Sequence, residues 1–417
     1  MPALYTITTR ASGTILTAAI YNADHQNHVN NGDAAHLGGF SSNTSQMRTQ
    51  VNPGDVGSES LAISISDELA RIRYMIALQR GTTFWYGTIR TSQDGLNYFR
   101  NSDLLNFSRQ GQANKSYAAS AGDPYTADCF YVHNNANQAL LVGPGAALAV
   151  TDIQSLFVQR VAGQTGIQQM WIGQPFTLAQ LIPLRGKTVT VSFSYFAAAN
   201  FAATNISAIL STGTGAAAAK IAGLTGRVDQ SVASFVPSIL ATTRISGQAL
   251  IPVNATQMDI IVVWTPVGTA GAQDTIVIGE FKLEEGNTPT PYVHPDPIAE
   301  LDELAFFYWK TFALGTVPAT AAGFPGSLVW NQSIGASLAT LGNNVRFTRR
   351  MRTTPSIVLF NPISANALGR NSIINADTVA ATAVNIDESA CGVNFTTAVG
   401  SAAGQANNIH LTAEAGI

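Results

Sequence analysis

Leu283–Lys310, LEEGNTPTPYVHPDPIAELDELAFFYWK, reads as a joint between two differently built regions. Upstream, Thr275–Leu283 (TIVIGEFKL) puts Val277, Gly279, Phe281 and Leu283 on one side and Ile276, Ile278, Glu280 and Lys282 on the other. That period of two predicts a strand. Pro289, Pro291, Pro295 and Pro297 forbid a continued ladder or helix, because each lacks an N–H and restrains the residue before it. Beyond them Ile298, Leu301, Leu304, Ala305 and Tyr308 recur at helical spacing. Glu300, Asp302 and Glu303 stand near the start, where the helix dipole favours acids. A β domain closes here, an extended segment leads away, and a short helix opens a new unit.

The flanking chain fits that reading. Leu184–Phe196 (LRGKTVTVSFSYF) alternates Val189, Val191, Phe193 and Tyr195 with Thr190, Ser192 and Ser194, which predicts an amphipathic strand. Met258–Trp264 (MDIIVVW) is unbroken and apolar, suited to a strand buried on both faces. Strands spaced by Gly, Asn and Ser loops predict a two-sheet sandwich of jelly-roll type, similar to carbohydrate-binding modules. Glu59–Arg80 is the best helix: Leu61, Ile65, Leu69, Ile72 and Ile76 form one apolar row, Ser58 or Ser60 can cap it and Gly81 ends it. As a heptad seam, Leu69 and Ile76 take a positions and Ile65 and Ile72 take d positions, a choice that favours more than two strands. The same row also suits a helix packed on its own domain.

Composition sets further bounds. The 417 residues hold material for two or three domains. Charged residues are 11% against a usual quarter, hydrophobic ones 46%, and the net charge is −3. This excludes a disordered chain and the basic field that a nucleic-acid or anionic-membrane partner needs. No apolar run approaches the roughly 18 residues that span a bilayer. The start, MPALYTITTR, has no signal-peptide pattern. Cys129 and Cys391 are expected to be two buried thiols rather than a bridge.

Several stretches invite a chemical reading. Tyr21–His36 (YNADHQNHVNNGDAAH) gathers Asp24, His25, His28 and His36, types that can ligate Zn²⁺. The alternative is that these side chains satisfy backbone groups in a turn-rich loop. Arg349, Arg350 and Arg352 in FTRRMRTTPSIVLF (Phe347–Phe360) can meet an anionic glycan, or lie on a solvated strand edge or an intersubunit pairing edge. Ser211–Gly226 (STGTGAAAAKIAGLTG) lacks GxxxxGK[ST], so it predicts a loop with a short helix and no phosphate site. The acid pairs Glu284-Glu285, Asp302-Glu303 and Asp387-Glu388 are adjacent, whereas glycoside hydrolysis needs two carboxylates across a cleft. No hydrolase constellation and no cofactor are expected.

These segments resemble, in order, bacteriophage tail-fibre and related virion-fibre proteins. Leu16–Asn31 is similar to their N-terminal "LTA-x-x-YNADH-x-NH-x-x-N" module, and SLAISISDELARIRYMI, with Phe84-Trp85-Tyr86 after it, to their "SLA-x-ELERLR" helix. Asp103–Val132 matches the opening of their central domain: Tyr125-Thr126-Ala127-Asp128 is kept whole, while Cys129-Phe130 replaces Arg-Trp. Leu283–Tyr292 followed by Ile298–Phe307 resembles its closing "QLEEG-x-x-x-TPFE-x-RP … EL-x-x-CQRYY", with Lys282 for the Gln. Phe347–Phe360 and the final IHLTAEAGI are similar to segments of C-terminal fibre domains.

The resemblance implies a mainly β chain with three modules. They are an N-terminal virion-attachment module over 1–90 with its helix at 59–80, a central sandwich over 103–292, and a distal C-terminal β domain over 311–417. The Pro-rich joint and helix occupy 293–310. It further implies a homotrimer docked on other virion proteins, made in a bacterial host cytoplasm and carried on the particle, with host-surface glycan as a partner. A decoration protein without receptor specificity and a polysaccharide depolymerase are the alternatives.

Overall fold

The computed structural model describes residues 97–119, 122–134, 138–148, 154–272, 274–333 and 340–416. The Asp24/His25/His28/His36 loop and the Leu61–Ile76 row lie outside them. The described residues belong to a single unit, Gly95–Ile417.

Eleven strands build a sandwich: β1 (Lys115–Tyr117), β2 (Tyr131–His133), β3 (Leu140–Gly145), β4 (Ser155–Arg160), β5 (Met170–Phe176), β6 (Thr188–Ala197), β7 (Ala203–Gly213), β8 (Val228–Phe235), β9 (Thr242–Leu250), β10 (Gln257–Pro266) and β11 (Thr275–Glu285). A short helix, α1 (Leu178–Leu181), follows β5. One sheet runs β1-β3-β4-β11-β6-β9 and the other β2-β5-β10-β7-β8, with antiparallel pairing throughout. The expected mainly β sandwich is the observed fold.

Its core lies between the sheets. Val189, Val191, Phe193 and Tyr195 of β6 face Ile172, Ile260, Val262 and Trp264 in one buried cluster. Phe281 stands amid aromatic rings, 4.9 Å from Phe130, 5.3 Å from Phe99 and 5.7 Å from Phe193. As the unbroken apolar run predicted, β10 is central and buried on both faces; only Thr265 is exposed.

Strand β11 corrects the simple alternation. Ile276 and Ile278 face the core, and so do Phe281 and Leu283. The register against β6 shifts between Gly279 and Lys282, and Glu280 has φ +50°. A bulge therefore inserts one residue and flips the phase. Beyond it β4 no longer accompanies β11. The segment from Asn97 takes its place: Tyr98 N donates to Leu283 O at 3.0 Å and Phe281 N to Ser102 O at 3.3 Å. The Asn97 side chain donates to Phe281 O and accepts from Leu283 N.

The Pro-rich segment folds back on β11. Lys282, fully buried, reaches Glu284 at 3.1 Å and donates to Pro291 O at 3.0 Å. Glu284 accepts from Thr290 N at 2.7 Å. Helix α2 (Pro297–Leu304) follows, capped by Asp296. It is shorter than the spacing predicted. Tyr308 instead opens strand β12 (Tyr308–Lys310), because Thr412–Glu414 near the C-terminus offers its backbone a ladder there. The helix buries Glu300 and Leu304, while Ile298 is exposed.

The C-terminal strands are β13 (Leu328–Asn331), β14 (Thr340–Arg346), β15 (Ser356–Phe360), β16 (Arg370–Asn371), β17 (Ala376–Asp377), β18 (Ala380–Val384), β19 (Ala390–Thr396) and β20 (Ala406–Glu414). Strand β20 is their hub, pairing with β12, β13, β15 and β16. A small sheet, β14-β19-β18, packs Val345, Cys391, Val393 and Phe395 against Ile409, Leu411 and Ala413 of β20. Cys129, Leu304 and Phe307 form an apolar contact toward the sandwich. Cys129 and Cys391 are both buried free thiols, as the sequence suggested.

Candidate functional site

The outer face of the five-stranded sheet carries the most distinctive side-chain grouping. Register places His133 beside Trp171, Trp171 beside Val263, Val263 beside Ser207, and Ser207 beside Ser234. Directly paired residues share a face, so these five form one row crossing five strands.

At one end the His133 ring lies flat on the Trp171 indole, with centroids 3.5 Å apart and planes 3° apart. His133 Nδ1 meets Asp123 Oδ1 at 2.5 Å, and a carboxylate only accepts, so Nδ1 carries the proton. Both rings are half-buried. At the other end Asn205 Nδ2 donates to Ser207 Oγ at 3.2 Å and to Ser234 Oγ at 2.7 Å, and the two hydroxyls share a hydrogen bond of 3.2 Å.

The next row holds Tyr131, Gly173, Ile261 and Ile209. A Cβ on Gly173 would stand 2.7 Å from the Tyr131 ring, so glycine there lets the ring lie across β5. Residues 214–226, the Gly/Ala tract, form a strap over this row. Ile221 and Leu224 pack on Ile261 and Val263. A 3-10 turn at Ile221–Gly223 is the predicted short helix.

Two side chains of β10 tie the strap down. Gln257 accepts from Gly215 N at 3.0 Å and Thr225 N at 2.8 Å, and donates to Ala217 O at 2.6 Å. A Cβ on Gly215 would fall 2.6 Å from Gln257, which is why this stretch is glycine-rich without a phosphate role. Asp259, fully buried, accepts from Tyr131 Oη and Ile221 N, each at 2.6 Å. Lys220 donates to Asp123 O and sits 3.9 Å from the Tyr125 ring centroid. Burial pulls the Lys220 ammonium below its ordinary range.

Burial pushes the Asp259 carboxyl up to about 7, against the Tyr131 and Ile221 hydrogen bonds that favour its ionised form. The folded protein thus holds a proton that the unfolded chain releases from about pH 4 upward. That stabilisation is complete below the unfolded pKa and is lost as pH rises toward 7. Glu300, also raised to about 7 by burial, adds a slope of the same sign. Urea midpoints of the wild type should therefore fall between pH 4 and 7. Asp259→Asn keeps an acceptor for Tyr131 and Ile221 but cannot ionise, so its midpoint should fall less steeply. Equal slopes in the two proteins would refute the assignment.

The residues flagged in the sequence lie elsewhere. Arg349 and Arg350 belong to the turn before β15, where Arg349 pairs with Asp302 at 2.7 Å and Arg350 pairs with Glu388. Arg352 donates to Gly416 O at 3.0 Å and Ala415 O at 2.9 Å. The three cations each have a partner within the chain and converge on no common point. The acid pairs are likewise engaged: Glu285 with Lys187, Glu303 with Arg100, and Asp387 with the backbone of Ser389 and Ala390. Among the described residues no group of three or more His, Cys, Asp or Glu is placed to hold a metal ion. Reading by sequence missed Trp171, His133, Asn205, Ser207 and Ser234. Trp171 had a signal in MWIGQPF, an aromatic facing opposite to the core residue Ile172; the other four had none.

No family model and no curated protein matches the chain. Solved structures with a similar arrangement include the C-terminal family 22 carbohydrate-binding module of a Clostridium thermocellum protein, at 12% identity and TM-score 0.30, covering 47% of this chain and 98% of that one. The xylan-binding domain of a Paenibacillus barcinonensis protein is similar at 13% identity and TM-score 0.27, covering 38% and 92%. The enzymatically active domain of tailspike protein 4 of bacteriophage CBA120 is similar at 10% identity and TM-score 0.27, covering 46% and 22%. At these identities and TM-scores the likeness bears on neither ligand nor role.

Proposed function

We propose that this chain is a structural appendage of a phage or phage-like particle that helps it adhere to host-surface glycan. Residues 1–90 attach it to other virion proteins, and the sandwich presents the binding face. The observation that carries the adhesive part is the outward row from His133 and Trp171 to Ser234. A flat aromatic pair at one end of the row and clustered hydroxyls with an amide at the other suit a sugar chain, whose rings have apolar faces and polar edges. The virion part rests on the ordered resemblances along the chain. Binding without catalysis is the reading that fits acids already tied to cations and turns.

Copies associate in threes in this reading, through Leu61, Ile65, Leu69, Ile72 and Ile76, so weak tips act together at high effective concentration. The test joins two measurements. Antibody-labelled chain should decorate the intact particle in threefold groups. Purified Trp171→Ala should bind host cells on the order of tenfold more weakly, the usual scale for a buried aromatic anchor. Unlabelled particles would overturn the virion assignment, and undiminished cell binding would overturn the adhesive one.

A further inference from the structure

A cavity of about 280 Å³ opens beside the end of helix α2, and Arg100, Glu303, Phe306, Phe307 and Arg349 line it. Pockets for drug-sized ligands begin near ~300 Å³, so this one suits a single small molecule.

Its two arginines are each held by one nitrogen only. Arg109, Arg227 and Arg350 grip a carboxylate with two. Arg100 meets Glu303 at 2.8 Å and Arg349 meets Asp302 at 2.7 Å, both through NH1 alone. Among the described residues, Nε and NH2 of these two have no acceptor. Both pairs are solvated: the side chains are 32% exposed at Arg100, 41% at Glu303, 39% at Arg349 and 63% at Asp302. Such pairs are weak and yield to a competing anion. Asp302 is not part of the lining, so two cations and one anion face the cavity.

The neutral polar groups of the wall are already engaged. Asn97 donates to Phe281 O and accepts from Phe99 N and Leu283 N. Thr177 Oγ1 donates to Gln180 Oε1 at 2.8 Å, and Gln180 Nε2 donates to Tyr98 O at 2.9 Å. A sugar would find few partners here for its hydroxyls. The apolar part of the wall is Phe306 and Phe307, edge to face with centroids 5.2 Å apart. The last carbonyls of α2 would repel an anion, but they accept from the backbone instead: Leu301 O from Ala305 N, Glu303 O from Phe306 N and Leu304 O from Phe307 N. The cavity therefore offers uncommitted guanidinium N–H groups beside an aromatic wall. A planar guanidinium matches a carboxylate, which loses its water only for such donors.

We propose that this cavity binds a small monocarboxylate with a compact apolar body, its carboxylate held by the free N–H groups of Arg100 and Arg349 and its body against Phe306. The site goes beyond the adhesion reading. It shares no residue with the row from His133 to Ser234, so either can fail without the other.

The test titrates the full chain with phenylacetate, phenylacetamide, acetate and galacturonate, followed by ligand-observed NMR. Phenylacetate should bind. Phenylacetamide has the same body without the charge and should bind at least about tenfold more weakly, the scale for hydrogen bonds to a charged group. Acetate lacks the body and galacturonate carries hydroxyls, so both should be weaker than phenylacetate. Arg100→Ala and Arg349→Ala should each weaken phenylacetate about tenfold. Glu303→Gln releases Arg100 and removes the competing anion, so it should tighten phenylacetate about twofold to fivefold. A loosened fold would not produce that gain, which keeps the test decisive should an arginine variant fold poorly. Equal binding of phenylacetamide, or phenylacetate binding unchanged in all three variants, overturns the site. So does wild-type chain that binds no phenylacetate. Galacturonate that binds more tightly than phenylacetate overturns the apolar body and points to an acidic sugar.

Discussion

Arg109→Met should destabilise the Gly95–Ile417 unit by about 3–5 kcal/mol, the scale for removing one partner of a buried ion pair. Arg109 sits in the turn that ends at Gly111, and its side chain is 9% exposed. Its Nε and NH2 fork grips both oxygens of Glu414, each at 2.7 Å, while NH1 lies 3.3 Å from Asp128 Oδ1. The guanidinium also stands over Tyr125 at 4.7 Å and Tyr308 at 4.8 Å. Burial opposes its charge, but Glu414 and then Asp128 outweigh that and hold the group protonated.

Without the arginine, Asp128 keeps its buried position and loses its main counter-charge, because burial already drives its carboxyl upward. Arg109→Lys should fall between methionine and wild type, since an ammonium keeps the charge and loses the planar fork. The loss should localise as well. Amide exchange in Ala406–Glu414 should speed up more than exchange in β6, since Glu414 ends β20. A urea-derived loss under about 1 kcal/mol, the value for a surface pair, would show that the clamp is ornamental.

Asp274→Ala should cost a similar amount, about 3–5 kcal/mol, for a related reason in a different place. Arg160, 2% exposed at the end of β4, donates to Asp274 Oδ2 at 2.7 Å, Gly166 O at 2.7 Å and Gly268 O at 3.1 Å. Asp274 Oδ1 accepts from Ala202 N at 3.0 Å. One ion pair thus fixes three loops at one end of the sandwich. Removing the carboxylate strands both a buried guanidinium and a backbone N–H. Asp274→Asn restores the N–H acceptor without the charge and should recover part of the loss. The contrast is Arg350→Ala: the Arg350 side chain is 75% exposed, and its pair with Glu388 should be worth under about 1 kcal/mol. Equal losses at Asp274 and Arg350 would contradict the burial argument.

How far the sequence foretold these features depended on whether one segment carried the signal. The runs in β6 and β10 were legible because each strand's burial is written in its own period or its unbroken apolarity. The bulge in β11 was not. TIVIGEFKL reads as one strand of period two, and only the backbone turn at Glu280, with its side chain drawn outward to Arg244 at 3.0 Å, reverses which half faces in. Helix α2 was legible to Leu304 but not at its end, since Tyr308 continues the helical spacing and yet pairs with Glu414. The binding row was the least legible part. Its five residues come from five strands, and what joins them is register. The Tyr125–Asp128 block was conspicuous by resemblance, and it proves to be where Tyr125 and Asp128 flank the Arg109 guanidinium.

The hub strand β20 has a consequence for the order of events during synthesis. Its partners β12, β13, β15 and β16 are all made before it, and the Arg109–Glu414 clamp closes over 305 residues of chain. On the ribosome those strands emerge with the edges that face β20 open, and those edges stay unpaired until Ala406–Glu414 has left the exit tunnel. Such long-range closure is slow, and open edges are what stray chains pair with. The nascent C-terminal region is therefore exposed to misassociation until this stretch clears the tunnel, and β20 works as the latch that ends that interval.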